Sequence, residues 1–102
     1  MHEYIGAIHI HSRYSDGTGE LPDIVRFAGE VGLDFIITSD HNTLSPKQDG
    51  HEGWHDGVMM LIGYEINDKD DRNHYLAFGL DKTVGVRISA QEYVRRVKDR
   101  GG

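Results

Sequence analysis

The sequence has no cysteine, which excludes disulfides, thiolate metal sites and a cysteine nucleophile. Any metal it holds must be bound through nitrogen and oxygen. No apolar run approaches the roughly 20 residues that span a bilayer, and no charged-then-apolar leader opens the chain. A cytoplasmic protein without a membrane partner is the expectation. Basic residues are scarce, with 11 Lys and Arg against 17 Asp and Glu and a net charge of −6. A simple electrostatic nucleic-acid binder needs a basic stripe, so nucleic acid is not favoured as a partner. An acidic chain does suit a cation site, because a bound metal brings positive charge that side-chain counting misses.

What is present is ordinary in bulk and unusual in one respect. Apolar residues make up 37% and charged residues 27%, the balance of a soluble globular protein. At 102 residues the chain can form one domain with its own core, yet it is small for an enzyme barrel. Seven histidines are many for this length, and their positions matter more than their number.

The stretch His9-Ile10-His11-Ser12-Arg13-Tyr14-Ser15-Asp16-Gly17 closes the first apolar run, Tyr4-Ile5-Gly6-Ala7-Ile8. Residues 3–11 read as a strand, and in an extended strand side chains alternate faces. His9 and His11 are therefore expected on one side, able to reach one ion without distorting the backbone. Ser15-Asp16-Gly17 is turn chemistry, which lets Asp16 swing back over the strand end as a carboxylate ligand. The plain alternative is two surface histidines beside a polar turn.

From Leu21 to about Val31 the period becomes helical, with a stripe of Ile24, Ala28 and Val31 broadened by Leu21, Val25 and Phe27. Pro22 suits a first turn, and Gly32 is a C-terminal stop. Asp34–Thr38 reads as a second strand buried in a parallel sheet. Strand, helix, strand makes a βαβ unit, so the ends of both strands should share one rim. Ser39-Asp40-His41-Asn42 would then meet His9 and His11 there.

Residues 43–57 read as a polar rim or lid loop with one helical turn after Ser45, its Trp54 either lining a pocket or plugging the core. Val58–Tyr64 is the third strand, with Glu65 at its end. The next run, His74–Leu80, follows too closely for a parallel crossover, so an antiparallel hairpin is expected with Glu65 and His74 as neighbours. The turn between them lacks the glycine and terminal glutamate spacing of a calcium loop. Ser89-Ala90-Gln91-Glu92 matches a capping box, opening a final helix with a stripe of Tyr93, Val94 and Val97.

His9, His11, Asp16, His41, Glu65 and His74 all fall at strand ends or in adjoining loops, whereas core histidines would sit mid-strand or on helix stripes. Imidazole and carboxylate donors suit zinc, iron(II) or manganese. Six donors exceed what one tetrahedral zinc uses, which suggests two or three ions.

These motifs resemble the PHP family, named for the polymerase and histidinol phosphatase domains. His9-Ile10-His11-(x4)-Asp16-Gly17 is similar to its first motif. Thr38-Ser39-Asp40-His41-Asn42 resembles its second, usually T-D-H-N, with Ser39 as an extra residue. Gly63-Tyr64-Glu65-Ile66 and His74-Tyr75-Leu76 match the later glutamate and histidine positions. The run Trp54-His55-Asp56-Gly57 further resembles carbaryl-hydrolase-like members.

The resemblance implies an α/β fold, the N-terminal part of a distorted (β/α)7 barrel: strand-helix-strand, then a β-hairpin and a C-terminal helix. It also implies a trinuclear metal site and phosphoester hydrolysis. Carried over by position, His9 and His11 bind one ion, Glu65 bridges it to a second held by His74, and Asp16 and His41 hold the third. The catalytic load would fall on Glu65, His41 and Asp16, while Asp40 would orient His41 or neighbouring backbone. The likeness covers the chain, residues 1–102, as a single partial domain. The family's later histidine and C-terminal Asp-x-His are not in this sequence. The chain is therefore read as a truncated piece, a fragment or an unusually short relative.

The expected function is a metal-dependent, phosphoesterase-like hydrolase that activates water for attack on a small phosphorylated or ester substrate. The alternative is a non-catalytic metal-binding fragment that needs the missing half of the barrel. Self-association into a homo-oligomer would follow from the sheet edges and apolar faces of an open half barrel. A third reading leaves the histidines incidental to an α/β fragment.

Overall fold

A computed structural model describes residues 2–102. In chain order the elements are β1 (Gly6–Ile10), α1 (Leu21–Glu30), β2 (Phe35–His41), α2 (Ser45–Gln48), β3 (Gly53–His55), β4 (Val58–Asn67), β5 (His74–Ala77) and α3 (Ala90–Asp99). The five strands form one sheet in the order β1-β2-β4-β3, with β5 also paired to β4. β1, β2 and β4 are parallel, while β3 and β5 run antiparallel to the two ends of β4. The expected βαβ unit and the Glu65–His74 hairpin are both present. What the described residues form is an open mixed sheet with three helices.

The two faces of the central strands differ sharply. Ile36 lies beside Met60, Thr38 beside Ile62 and Asp40 beside Tyr64, and all six are buried. Leu21, Val25 and Ala28 of α1 and Tyr93 of α3 join the apolar members of this face in the core. The stripe of α1 is therefore narrower than its sequence suggests, since Phe27 and Val31 are exposed. Val94 of α3 is likewise exposed. On the other face Ile37, Ser39 and His41 lie beside Leu61, Gly63 and Glu65.

The first strand departs from the expected regular ladder. Ala7 pairs with Ile36, but Ile10 pairs with Thr38, so β1 carries one extra residue between them. His9 sits in that irregularity with φ 68°. Continuing the Ala7–Ile36 register would place His9 and His11 on the face of Thr38 and Asp40, toward the core. A one-residue slip exchanges faces, and here the β-bulge sends His11 to the face of Ser39 and His41. The distortion that simple alternation seemed to make unnecessary is what aims the histidines.

Other boundaries moved as well: β1 is Gly6–Ile10 within the expected 3–11, and β5 stops at Ala77. β2 runs on to His41 and β4 to Asn67, so His41 and Glu65 belong to strands. Residues 43–57 contain α2, as expected, but also β3, which closes a hairpin onto β4 through Asp56 (φ 48°) and Gly57 (φ 89°). Asp-Gly at paired positive φ is the preferred two-residue hairpin turn, a signal present in the sequence. Trp54 on that hairpin is 70% exposed, neither a pocket wall nor a plug. Among the described residues, no helix is long and apolar enough to cross a membrane.

Candidate metal centre

Glu65 is the hub. It lies on β4 directly beside His41 of β2, and parallel partners in register project to the same side. Its side chain is 3% exposed, and four imidazoles surround it. His9 Nε2 lies 2.5 Å from Oε1, and His41 Nδ1 lies 2.8 Å from Oε2. His11 Nε2 stands 3.8 Å and His74 Nδ1 3.7 Å from Oε2. His74 reaches this side because it pairs with Asn67, two residues beyond Glu65 on the same face of β4. Phe78 packs over Gly63 where any side chain would collide with it.

Asp16 closes the far side. Its Oδ1 is 2.6 Å from His11 Nδ1 and its Oδ2 is 3.1 Å from His41 Nε2. The hydrogen bond with His11, aided by the nearby charge of His41, holds its carboxyl below the usual carboxylate range. His9, His11 and Glu65 thus have donor atoms within 4.8 Å of one another, as do His11, Asp16 and His41. His74 belongs to neither triplet, and its Nε2 lies 3.5 Å from Asp71 Oδ1.

The donors pair with one another, and they also suit a metal. A buried carboxylate is seldom left with several histidines unless they are paired or coordinate a cation. His11 Nε2 is buried without a hydrogen-bond partner, an atom that calls for explanation in a native fold. A divalent ion would satisfy it. Imidazole and carboxylate together suit zinc, manganese or iron(II).

The loop between His11 and Asp16 is fixed by a residue to which the sequence assigns no ligand role. Asp40 is 1% exposed; its Oδ1 accepts from the Ser12 backbone N–H at 2.7 Å and from the Ser15 hydroxyl at 2.6 Å. Its Oδ2 accepts from the Ser12 hydroxyl at 2.7 Å. Gly17 N–H donates to Ser12 O at 2.9 Å, and a Cβ at Gly17 would meet His11 O at 2.2 Å. Only glycine fits that close approach. Neither Ser12 nor Ser15 stands out in the sequence, because a serine that anchors a loop looks like any turn serine.

With this geometry in view, the chain can be set beside known proteins. It is 33% identical to a candidate metal-dependent phosphoesterase from Bifidobacterium adolescentis, with a TM-score of 0.64 over 76% of this chain and 28% of that one. It matches a two-domain protein from Bacteroides vulgatus, containing a predicted PHP-like metal-dependent phosphoesterase, at 22% identity and a TM-score of 0.70. That match covers 96% of this chain and 33% of the other. The fold is shared. An uncharacterised protein of Methanocaldococcus jannaschii is 24% identical over 93% of this chain. The chain spans 61% of that relative and about a third or less of the two solved neighbours. No protein-family model matches it.

Proposed function

We propose that this chain carries part of a PHP-type metallohydrolase site and that the site cleaves phosphoesters. The observation that carries the reading is a buried glutamate ringed by four imidazoles, one of which has a buried nitrogen with no partner. His9, His11 and Glu65 would hold one divalent ion, while Asp16 and His41 would hold another, with His11 within reach of both. His74 would add a ligand on the Glu65 side, so two to three ions fill a complete site. Bound ions would supply Lewis acidity, lowering the pKa of water and offsetting charge on phosphoryl oxygens. Within that site Glu65, His41 and Asp16 would be the catalytic residues, because His41 lies 2.8 Å from Glu65 and 3.1 Å from Asp16 and so joins the two donor triplets.

A cavity of about 570 Å³ opens beside the cluster, lined by Asn42, Asn67, Asp68, Lys69, Asp70, Asp71, Val86 and Arg87. Asn42 follows His41, and Asn67 pairs with His74. Its charged lining is mixed, with Lys69 and Arg87 beside Asp68, Asp70 and Asp71. The carbaryl-hydrolase-like branch rests on Trp54-His55-Asp56-Gly57 alone, a run that forms the β3–β4 hairpin.

The experiment is metal content by plasma mass spectrometry, paired with aryl phosphate hydrolysis in added manganese or zinc. Two or more ions per chain and chelator-sensitive turnover support the proposal. Turnover indifferent to chelator sinks it. A second reading, ion binding without turnover, is favoured by β1, whose outer edge is unpaired among the described residues and whose Ile8 is exposed beside exposed Ile5. Ions bound without hydrolysis, in a self-associated species by light scattering, would select it.

A further inference from the structure

We propose that Asp40 is a positioning residue whose carboxylate charge sets the ion affinity of the half-site formed by His11, Asp16 and His41. The inference rests on the metal reading above and adds a residue outside the ligand set. At the end of β2 successive side chains face opposite ways. His41 points to the cluster, and Asp40 points to the loop that carries the other two ligands.

Asp40 receives three hydrogen bonds, two from Ser12 and one from Ser15. Among the described residues it has no cationic partner, so its charge is balanced by these donors alone. The network continues from there. Ser12 Oγ accepts from Tyr14 N–H at 3.2 Å, and Ser12 O accepts from Ser15 N–H and Gly17 N–H. Every residue from 12 to 17 except Arg13 and Asp16 is thereby tied, directly or through Ser12, to one carboxylate. Asp16 is left free to face His11 and His41.

Bonds to an ionised acceptor are shorter and roughly twice as strong as neutral ones. Asparagine has the same shape but only one acceptor oxygen. Its amide would have to turn the Ser12 hydroxyl round, and the loop would lose its charged anchor. The spacing of Asp16 from His11, and not the fold, is what should loosen.

The test is ion affinity by calorimetry with manganese or zinc, comparing wild type, Asp40→Asn, Asp16→Ala and the double variant. Asp40→Asn should weaken one ion by about 10–100-fold, the range for residues that orient ligands. The ion at His9 and Glu65, which shares His11 with that half-site, should weaken less in the same titration. Adding Asp40→Asn to Asp16→Ala should change little more, because both act on one half-site. Equal weakening of both ions, or additive losses, would make Asp40 a fold strut only and overturn the inference. Ser15→Ala, which removes one bond of the three, should weaken the same ion less while keeping the fold. If it left that ion unchanged, the inference would fail even where Asp40→Asn does not fold. Absence of any ion from wild type would instead overturn the metal reading and this inference with it.

Discussion

The same two strands, β2 and β4, present two faces built by different rules. On one, Ile36, Met60, Ile62 and Tyr64 form a core with residues of α1 and α3, and only Thr38 and Asp40 bring polar side chains to this face of β2. On the other, His41 and Glu65 stand side by side with His9, His11 and Asp16 close around them. The backbone differs as well. Of five non-glycine residues at positive φ among the described residues, His9, Asn42, Asp71 and Arg87 lie in or beside the cluster and its cavity, and Asp56 serves an ordinary hairpin turn. Strained backbone and buried charge persist only where the surroundings over-determine them. The comparison teaches that one face makes the core, with Asp40 linking it to the loop of the site, while the other carries the donor cluster.

Single substitutions can break that division. Ile36→Ala, at a fully buried site, should lower unfolding free energy by about 2–5 kcal/mol in urea titration, with ion binding retained once folded. An equal loss of ion affinity in the folded variant would show that the faces are coupled. Glu65→Gln should weaken ion binding by at least about 100-fold and abolish the metal-induced rise in melting temperature. Its apo melting temperature should remain near wild type; a collapse would make Glu65 a structural residue.

His9 tests the distortion itself. Glycine adopts positive φ without penalty, whereas a residue with a Cβ is strained there by about 1 kcal/mol. His9→Gly should therefore be more stable than His9→Ala by roughly that amount, while both lose ion affinity. Equal stability would mean that the bulge is unstrained. The smallest effect concerns Tyr14, whose hydroxyl donates to Asp49 at 2.5 Å and whose phenol is pushed up to about 12 by that bond. A folded-state value above the unfolded one of about 10 favours the neutral form. That contribution is full below pH 10 and fades as pH rises toward 12. The 295 nm difference between wild type and Tyr14→Phe should show no ionisation of this tyrosine below about pH 11. A midpoint near 10 would remove the bond.

Much of this was legible in the sequence, for identifiable reasons. The βαβ unit followed from a helical period between two apolar runs, and the β4–β5 hairpin followed from a connection too short for a crossover. His9, His11, Asp16, His41, Glu65 and His74 could be placed at one rim because each falls near a strand end or in an adjoining loop. The bulge in β1 could not be read, since Ile8-His9-Ile10 looks like regular alternation and register is a property of two strands. Nor could the grip of Asp40 on Ser12, which spans 28 residues. The β3 hairpin was missed despite its Asp-Gly turn, because a three-residue strand leaves almost no periodicity to detect.

β4 is paired with β2, β3 and β5, whereas β1 pairs, among the described residues, with β2 alone and through an interrupted ladder. The contacts of β4 with β3 and β5 are local in sequence, and local contacts close fastest because their loop entropy is small. The hairpins around Glu65 should therefore assemble early, and the strand carrying His9 and His11 should dock late and fray first. Filling the site would clasp that outermost strand to the middle of the sheet. Cation occupancy would then read out as protection of β1 amides from solvent exchange, tying the order of assembly to the state of the site.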